Sequence, residues 1–324
     1  MSAQFNIFTV DDLLPLLNKR MVIDAVRDAL ICHGRGKVQS PMPGHLLFPE
    51  VNGDCHIKSG HMVGSANFVI KVATGFYNNS MRGLPVNNGA VLVLDAQTGA
   101  PVSLFQDDGW LTAWRTAAAT ALATHCLAPR PDARVGVIGT GLQGQLAIKW
   151  IAELMPGATF TLLGRNTDRT QDIANDLGIL ASSSTEELLS GSDIIVTATP
   201  STRALFDANQ ACPGMHFVGV GADGPEKQEL PETLFARASL IVTDDHRQCL
   251  ALGDFGRAVR AGQIVESADT SFGALLEDGT NKRATGDITI IDLTGLAAQD
   301  IAIANLFASL LSRKKGKSEL TTIL

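Results

Sequence analysis

Residues 134–144 read RVGVIGTGLQG. An apolar run, Val135 to Ile138, leads into glycines spaced Gly139-x-Gly141-x-x-Gly144, and the helical run QLAIKWIAELM follows. Strand, glycine turn and helix in that order are what a Rossmann unit uses to bind a dinucleotide. The first glycine permits the tight turn. The second lets the backbone approach a pyrophosphate, and the third lets helix and strand pack closely. The helix start adds free N–H groups and the positive end of its dipole. Leu142 and Gln143 lie within this loop and join Gly139, Gly141 and Gly144 as candidate cofactor contacts.

Toward the C-terminus, apolar runs recur at 158–163, 193–198, 216–221, 239–243 and 288–292, with helical stretches between most of them. This alternation predicts a parallel, doubly wound α/β sheet. Ser184-Thr-Glu-Glu187 has the form of a capping box for a helix over 185–190. The strand over 158–163 runs into Gly164-Arg165-Asn166, so no carboxylate stands at its tip to take a ribose 2′-hydroxyl. A guanidinium there suits a 2′-phosphate. Arg165 and Asn166 are therefore candidate cofactor contacts, and NADP(H) is expected over NAD(H). The alternative for Arg165 is a solvated surface residue.

Toward the N-terminus the pattern changes. Thr9-Val-Asp-Asp12 can cap a short helix, and Val22, Ile23, Val26, Ala29 and Leu30 fall on one face of a helix from Arg20 to His33. Pro41, Pro43, Pro49 and Gly53 mark loop and short edge strands over 40–54. From Asn67 the pattern is β: FVIKVATGF, then a hairpin of GAVLVLD and GAPVSLFQ. Gly109 to Leu127 is an Ala-rich helix that ends at Pro129, and 296–311 forms a last helix expected to pack on the N-terminal region. The proline-rich stretch 128–131 and Gly295 divide the chain into one domain of 1–128 plus 296–324 and a Rossmann domain of 129–295.

Composition narrows the function class. At 45% hydrophobic and 18% charged, the chain is a compact globule rather than a disordered one. Its net charge of −7 lacks the footprint of a nucleic-acid binder. The basic run Arg313-Lys314-Lys315 with Lys317 reads as a solvated tail. Five cysteines without CxxC spacing point to reduced thiols and a cytoplasmic home. The start MSAQFNIFTVDD has no signal-peptide pattern, and no stretch is long and apolar enough to predict a membrane span. Cys55, His56 and His61 flank Lys58, but no further His or carboxylate completes a recognisable spacing, so no metal site is expected.

Three residues stand out as carriers of chemistry. Lys71 sits inside the apolar strand FVIKVATGF, where desolvation lowers an ammonium pKa and suits it to proton transfer. The alternative is the polar face of an edge strand. Arg115 is the lone charge in LTAWRTAAATALA, and its fork fits either a substrate carboxylate or a structural ion pair. Asp223 follows the strand HFVGVGA at the sheet edge where open α/β folds bind ligands, or else it caps a helix before Pro225.

Taken in order, these segments resemble one family. FVIKVATGFYNN, GAVLVLDAQTGAP, LTAWRTAAATALATHCLAP, VGVIGTGLQG, DIIVTATP, VGVGADGPEKQEL and ITIIDLTGLAAQD are similar to the ornithine cyclodeaminase/mu-crystallin family over nearly the full length. That family includes ornithine and lysine cyclodeaminases, archaeal-type alanine dehydrogenase, ketimine reductases and pyrroline-2-carboxylate reductases. The resemblance implies hydride transfer between nicotinamide and the α-carbon of an amino or imino acid. It implies that Lys71 lies by the reacting centre, that Arg115 clamps the substrate carboxylate and that Asp223 is a catalytic aspartate. Thr112, Thr197, Thr199, Gly221 and Thr294 become candidate cofactor contacts. The N-terminal region with the last helix becomes an α+β substrate-binding and dimerisation domain, and a homodimer is implied.

The chain also departs from the family pattern. Many members carry a second carboxylate-binding arginine in the early strands, but SPMPGHLLFPE has none. Counting back from Lys71 without gaps, the cyclodeaminases' active-site glutamate falls on Lys58. A lysine there repels an ammonium and attracts a carboxylate, so Lys58 is the candidate second anionic clamp. The expected activity is NAD(P)H-dependent reduction of a small 2-imino acid such as Δ1-pyrroline-2-carboxylate. The alternatives are an ammonia-releasing ornithine cyclodeaminase and a weakly catalytic NADP-binding protein like mu-crystallin.

Overall fold

The computed structural model describes residues 5–279 and 283–321, with side chains through Arg313. The chain divides into two compact units, residues 1–115 with 296–324 and residues 116–295. The division falls between Arg115 and Thr116, inside a continuous helix, rather than at the proline-rich stretch 128–131.

In the first unit, strands β1 (Asn6–Thr9), β2 (Val38–Gln39), β3 (Gly44–Phe48), β4 (Gly53–Met62), β5 (Asn67–Phe76), β6 (Asn87–Asp95) and β7 (Pro101–Gln106) form one sheet in the order β1-β7-β6-β5-β4-β2. β3 also pairs with β4, and only β1 and β7 run parallel. The β6–β7 hairpin is closed by Asp95, whose Oδ1 accepts from the Gln97 and Thr98 N–H groups, while Gly99 takes a positive φ of 72°. Thr9 and Asp12 form the capping box of α1 (Val10–Leu13).

Helix α2 (Lys19–Gly34) buries Val22, Ile23, Val26, Ala29 and Leu30, the stripe that its period places on one face. α3 (Trp110–Cys126) starts in this unit. The long C-terminal helix, Ala297–Thr321, packs on α2, β4 and β5. Its approach to β4 is close: a Cβ on Gly60 would lie 3.1 Å from Ile301 and 3.2 Å from Ala297. Val69, Val91, Val93 and Phe105 form the buried face of the sheet, and Trp114 stacks on Phe307 at 5.6 Å. Arg313 is exposed, whereas the side chains of Lys314, Lys315 and Lys317 lie outside the described residues.

The second unit carries strands β8 (Arg134–Ile138), β9 (Thr159–Leu163), β10 (Leu180–Ala181), β11 (Ile194–Thr197), β12 (His216–Gly219), β13 (Leu240–Thr243), β14 (Asp269–Ser271) and β15 (Thr289–Asp292). They form an all-parallel sheet in the order β10-β9-β8-β11-β12-β15-β13-β14. The order reverses between β8 and β11, as in a doubly wound dinucleotide fold. β11, β12 and β15 are buried throughout, which is why they read as unbroken apolar runs. Helices α4 (Leu142–Leu154), α5 (Thr167–Leu177) and α6 (Thr185–Ser190) connect the first strands. Ser184 caps α6 through the Glu187 N–H at 3.1 Å. The Glu187 carboxylate, however, turns to Ser182 and Ser183, so the expected capping box is only half formed.

Candidate active site

Within the first unit, β5 places Lys71 in the core at 2% exposure. Its Nζ lies 3.0 Å from both carboxylate oxygens of Asp300, in the first turn of the C-terminal helix. Asp300 also accepts from Nε of Arg115 at 3.0 Å, and the Gln299 Oε1 accepts from Nη1 of Arg115 at 2.9 Å. No hydrogen bond among the described residues falls to Nη2 of Arg115. Lys58 on β4 stands directly across from Lys71 on β5, and it too is buried. Three cations thus gather near one carboxylate, and Lys71 also draws on the nearby Asp107 carboxyl.

This centre perturbs its own members. Burial lowers the Lys71 pKa to about 7, against the attraction of Asp300 and with the help of Arg115 and Lys58. Burial alone would raise the Asp300 carboxyl, but Lys71, Arg115 and Lys58 together hold it below its ordinary value. Asp107 is raised by burial, and its Oδ2 accepts from the Leu111 N–H at the start of α3. Thr112 sits half-buried one turn before Arg115 on the same helix. Asp300 is the residue that sequence reasoning missed. It lies within the quoted segment ITIIDLTGLAAQD, but 229 residues separate it from Lys71.

Within the second unit, Gly139 has a φ of 128°, and a Cβ there would run into the Ala198 carbonyl. A Cβ on Gly144 would collide with the carbonyl oxygen of Gly139, so only glycine lets α4 start this close to the turn. Gly141 precedes α4 as its N-cap, and the space where its side chain would stand is open. Leu142 and Gln143 occupy the first turn of α4, half-buried. This is a cradle that fits a pyrophosphate: exposed helix-start N–H groups beside a position with no Cβ. At the end of β9, Arg165 is exposed, and Asn166 caps α5 by accepting from the Arg169 N–H at 2.9 Å.

The neighbouring loops are held by a buried glutamate that sequence reasoning also passed over. Glu229 accepts from the Thr197 hydroxyl at 2.8 Å, the Thr199 hydroxyl at 2.8 Å and the Thr199 N–H at 2.6 Å. It also accepts from the Gly221 N–H at 2.6 Å and the Val220 N–H at 3.3 Å. Thr197, Thr199 and Gly221, three expected cofactor contacts, are thus tied to one carboxylate that clasps the ends of β11 and β12. Burial raises the Glu229 pKa in opposition to these donors. Asp254 in turn accepts from the Glu229 and Leu230 N–H groups, and burial with the nearby Glu229 charge raises it to about 7. Thr294 is buried, and its N–H and hydroxyl both donate to Asp244. Asp223 does not cap a helix. It lies in the loop after β12, where its Oδ1 accepts from Lys227 Nζ at 2.7 Å.

Parallel sheet, glycine cradle and buried lysine–arginine–aspartate centre define a dinucleotide-fold protein with a separate polar core. The chain matches the model of the ornithine cyclodeaminase/mu-crystallin family over residues 6–315 and belongs to that family. It is 32% identical over 295 residues to a putative dehydrogenase of Rhizobium meliloti, covering 89% of each chain. It is 30% identical over 318 residues to the alanine dehydrogenase of Archaeoglobus fulgidus, covering 96% of each. Among solved structures it is similar to Thermococcus litoralis Δ1-pyrroline-2-carboxylate reductase in complex with NADH and L-proline. That match has a TM-score of 0.86 and 25% identity, and it covers 95% of this chain and 98% of the other.

Proposed function

We propose that this protein is an NAD(P)H-dependent reductase of a small 2-imino acid, with Δ1-pyrroline-2-carboxylate as the model substrate. The observation that carries the reading is the buried centre of Lys58, Lys71 and Arg115 around Asp300. The gathering of these three cations around Asp300 suits an anionic substrate. Asp300 holds Nε of Arg115 and Gln299 holds Nη1, so the fork is oriented with Nη2 left for a ligand carboxylate. Lys58 supplies a second cation for the same carboxylate. Lys71 in its ammonium form gives a proton to the imine nitrogen as the C=N carbon is reduced. A reduced nicotinamide, when bound, supplies the hydride. Gly139, Gly141, Leu142, Gln143 and Gly144 hold its pyrophosphate. The Glu229 clasp fixes Thr197, Thr199 and Gly221 beside it, and Arg165 selects a 2′-phosphate.

Two further properties belong to this reading. Leu46, Ile57 and Val72 are exposed on the sheet face opposite the lysines, and Ile57 pairs directly with Val72. An apolar sheet face of this kind suits a homodimer. Five free cysteines suit a reducing cytoplasm, and no described helix is long and apolar enough to cross a membrane.

The deciding experiment incubates the protein with NADPH or NADH and a panel of cyclic and acyclic imino acids, followed by absorbance of the reduced coenzyme. Turnover with Δ1-pyrroline-2-carboxylate or a close analogue is expected, with NADPH preferred and the preference lost in Arg165→Ala. No oxidation with any imino acid rejects the reductase reading. Cyclodeaminase activity is the second reading, since Asp223 is retained. Ammonia release from ornithine without net coenzyme change would establish it. The pairing of Asp223 with Lys227, and the gathering of Lys58, Lys71 and Arg115 around Asp300, argue against an ammonium-bearing side chain. Tight NADPH binding with negligible turnover would instead indicate the weakly catalytic alternative.

A further inference from the structure

Among the described residues, one group of three metal-ligating side chains comes together: His45, Asp54 and His56. β3 sets His45 directly across from His56 on β4, and Asp54 precedes His56 by two residues on the same face of that strand. The ligand atoms all lie within 4.8 Å of one another. The two imidazoles stack with centroids 4.4 Å apart and planes 21° apart.

The surroundings are built to suit an ion. Asp54 is buried at 7% exposure, and its Oδ2 accepts from the Tyr77 hydroxyl at 3.2 Å. Outer hydrogen bonds of this kind commonly orient ligating carboxylates. Gly75 pairs across from Asp54, and a Cβ there would come within 2.9 Å of Oδ1, so glycine leaves that oxygen its room. His45 Nε2 is buried without a hydrogen-bond partner. A buried polar nitrogen left bare is uncommon and calls for an occupant.

We propose that His45, Asp54 and His56 form a binding site for a divalent transition-metal ion of the zinc class. Two nitrogens and one carboxylate oxygen suit such an ion, whereas magnesium and calcium prefer sets made of oxygen. Tetrahedral zinc with bonds of about 2.0–2.1 Å keeps its donors about 3.3 Å apart, so binding draws the three side chains inward and clips β3 to β4. Three protein ligands leave a coordination position for water or a small anion. The proposal does not depend on the reductase reading. No spacing in the sequence announces the site, because its third member comes from the neighbouring strand.

Titration calorimetry of the metal-stripped full-length protein with ZnCl2, and visible absorption on adding CoCl2, test it directly. One equivalent per chain is expected, with no binding of MgCl2. His45→Gln and His56→Gln should each weaken zinc binding by about tenfold or more. Circular dichroism of the apo variants establishes that they are folded, and His45 lies on a short outer strand that tolerates exchange. Cys212 is exposed and offers a competing ligand. Cys212→Ser should therefore keep the site. Absence of zinc binding, or binding that survives in both histidine variants, overturns the proposal. So does binding that is lost in Cys212→Ser alone.

Discussion

Lys71 is a lysine with a pKa of about 7, buried beside another lysine and an arginine and steadied by Asp300. If its ammonium gives the proton to the imine, kcat for reduction falls as pH rises through about 7, where the neutral amine takes over. Oxidation of the amino acid rises through the same point. Asp300 attracts the ammonium and so raises this pKa. Asp300→Asn should therefore move the inflection toward acid by about one pH unit or more, and Lys71→Met should abolish it. A kcat profile that stays flat between pH 6 and 9, with rates unchanged in Lys71→Met, would remove Lys71 from the chemistry. His216 makes the opposite use of burial. Its Nε2–H donates to the Ala123 carbonyl at 3.0 Å and its Nδ1 lies 2.8 Å from the Thr289 hydroxyl, an arrangement that the neutral ring satisfies. Burial lowers its pKa to about 4. Between about pH 6.5 and 4 the unfolded chain binds this proton and the folded chain does not, so the contribution is complete above about 6.5 and is lost as pH falls toward 4. The loss is roughly 3 kcal/mol. Urea titrations at pH 7 and pH 4.5 should show it, and His216→Gln should shrink the difference between them.

At the scale of elements, Glu229 is the clasp that keeps the ends of β11 and β12 in register. Glu229→Ala leaves the Thr199 and Gly221 N–H groups and two hydroxyls without an acceptor, and each such buried orphan costs about 1–3 kcal/mol. A loss of several kcal/mol is expected in chemical denaturation. Dinucleotide affinity, measured by fluorescence titration, should weaken at the same time. Glu229→Gln keeps an acceptor and should recover part of both. Much of this level was legible beforehand. The stripe from Val22 to Leu30 and the helix over 185–190 follow from periodicity and capping, which are local. β10 and β14, with two and three residues, are too short to show a period and exist only because longer neighbours hold them. Glu229 looks like any polar residue of a loop until the strand ends it joins are brought together.

For the molecule as a whole, the outer sheet face with Leu46, Ile57 and Val72 is the surface proposed for a homodimer interface. Ile57→Lys puts a charge opposite Val72 on that face, where desolvation opposes burial. Sedimentation should show the parent protein as a dimer and this variant as a monomer, with the near-native circular dichroism of an exposed substitution. A parent monomer would reject the face as an interface. The division between units shows how little a boundary has to announce itself. It passes through α3 between Arg115 and Thr116, where a continuous Ala-rich helix has no break in composition.

What the sequence by itself determined is whatever rests on neighbours along the chain. The turn at Gly139 and the helix start at Gly144 belong here, as do the alternation that winds the parallel sheet, the family, and the unusual lysine in β5. Tertiary structure decided what those residues meet. It brought Asp300 to Lys71 and Arg115, gave Thr197, Thr199 and Gly221 a common carboxylate, and set His45 against His56. The physical reason is that an ion pair or a buried hydrogen bond depends on distance in space, and a chain that folds back 229 residues to make one leaves no periodic trace of it.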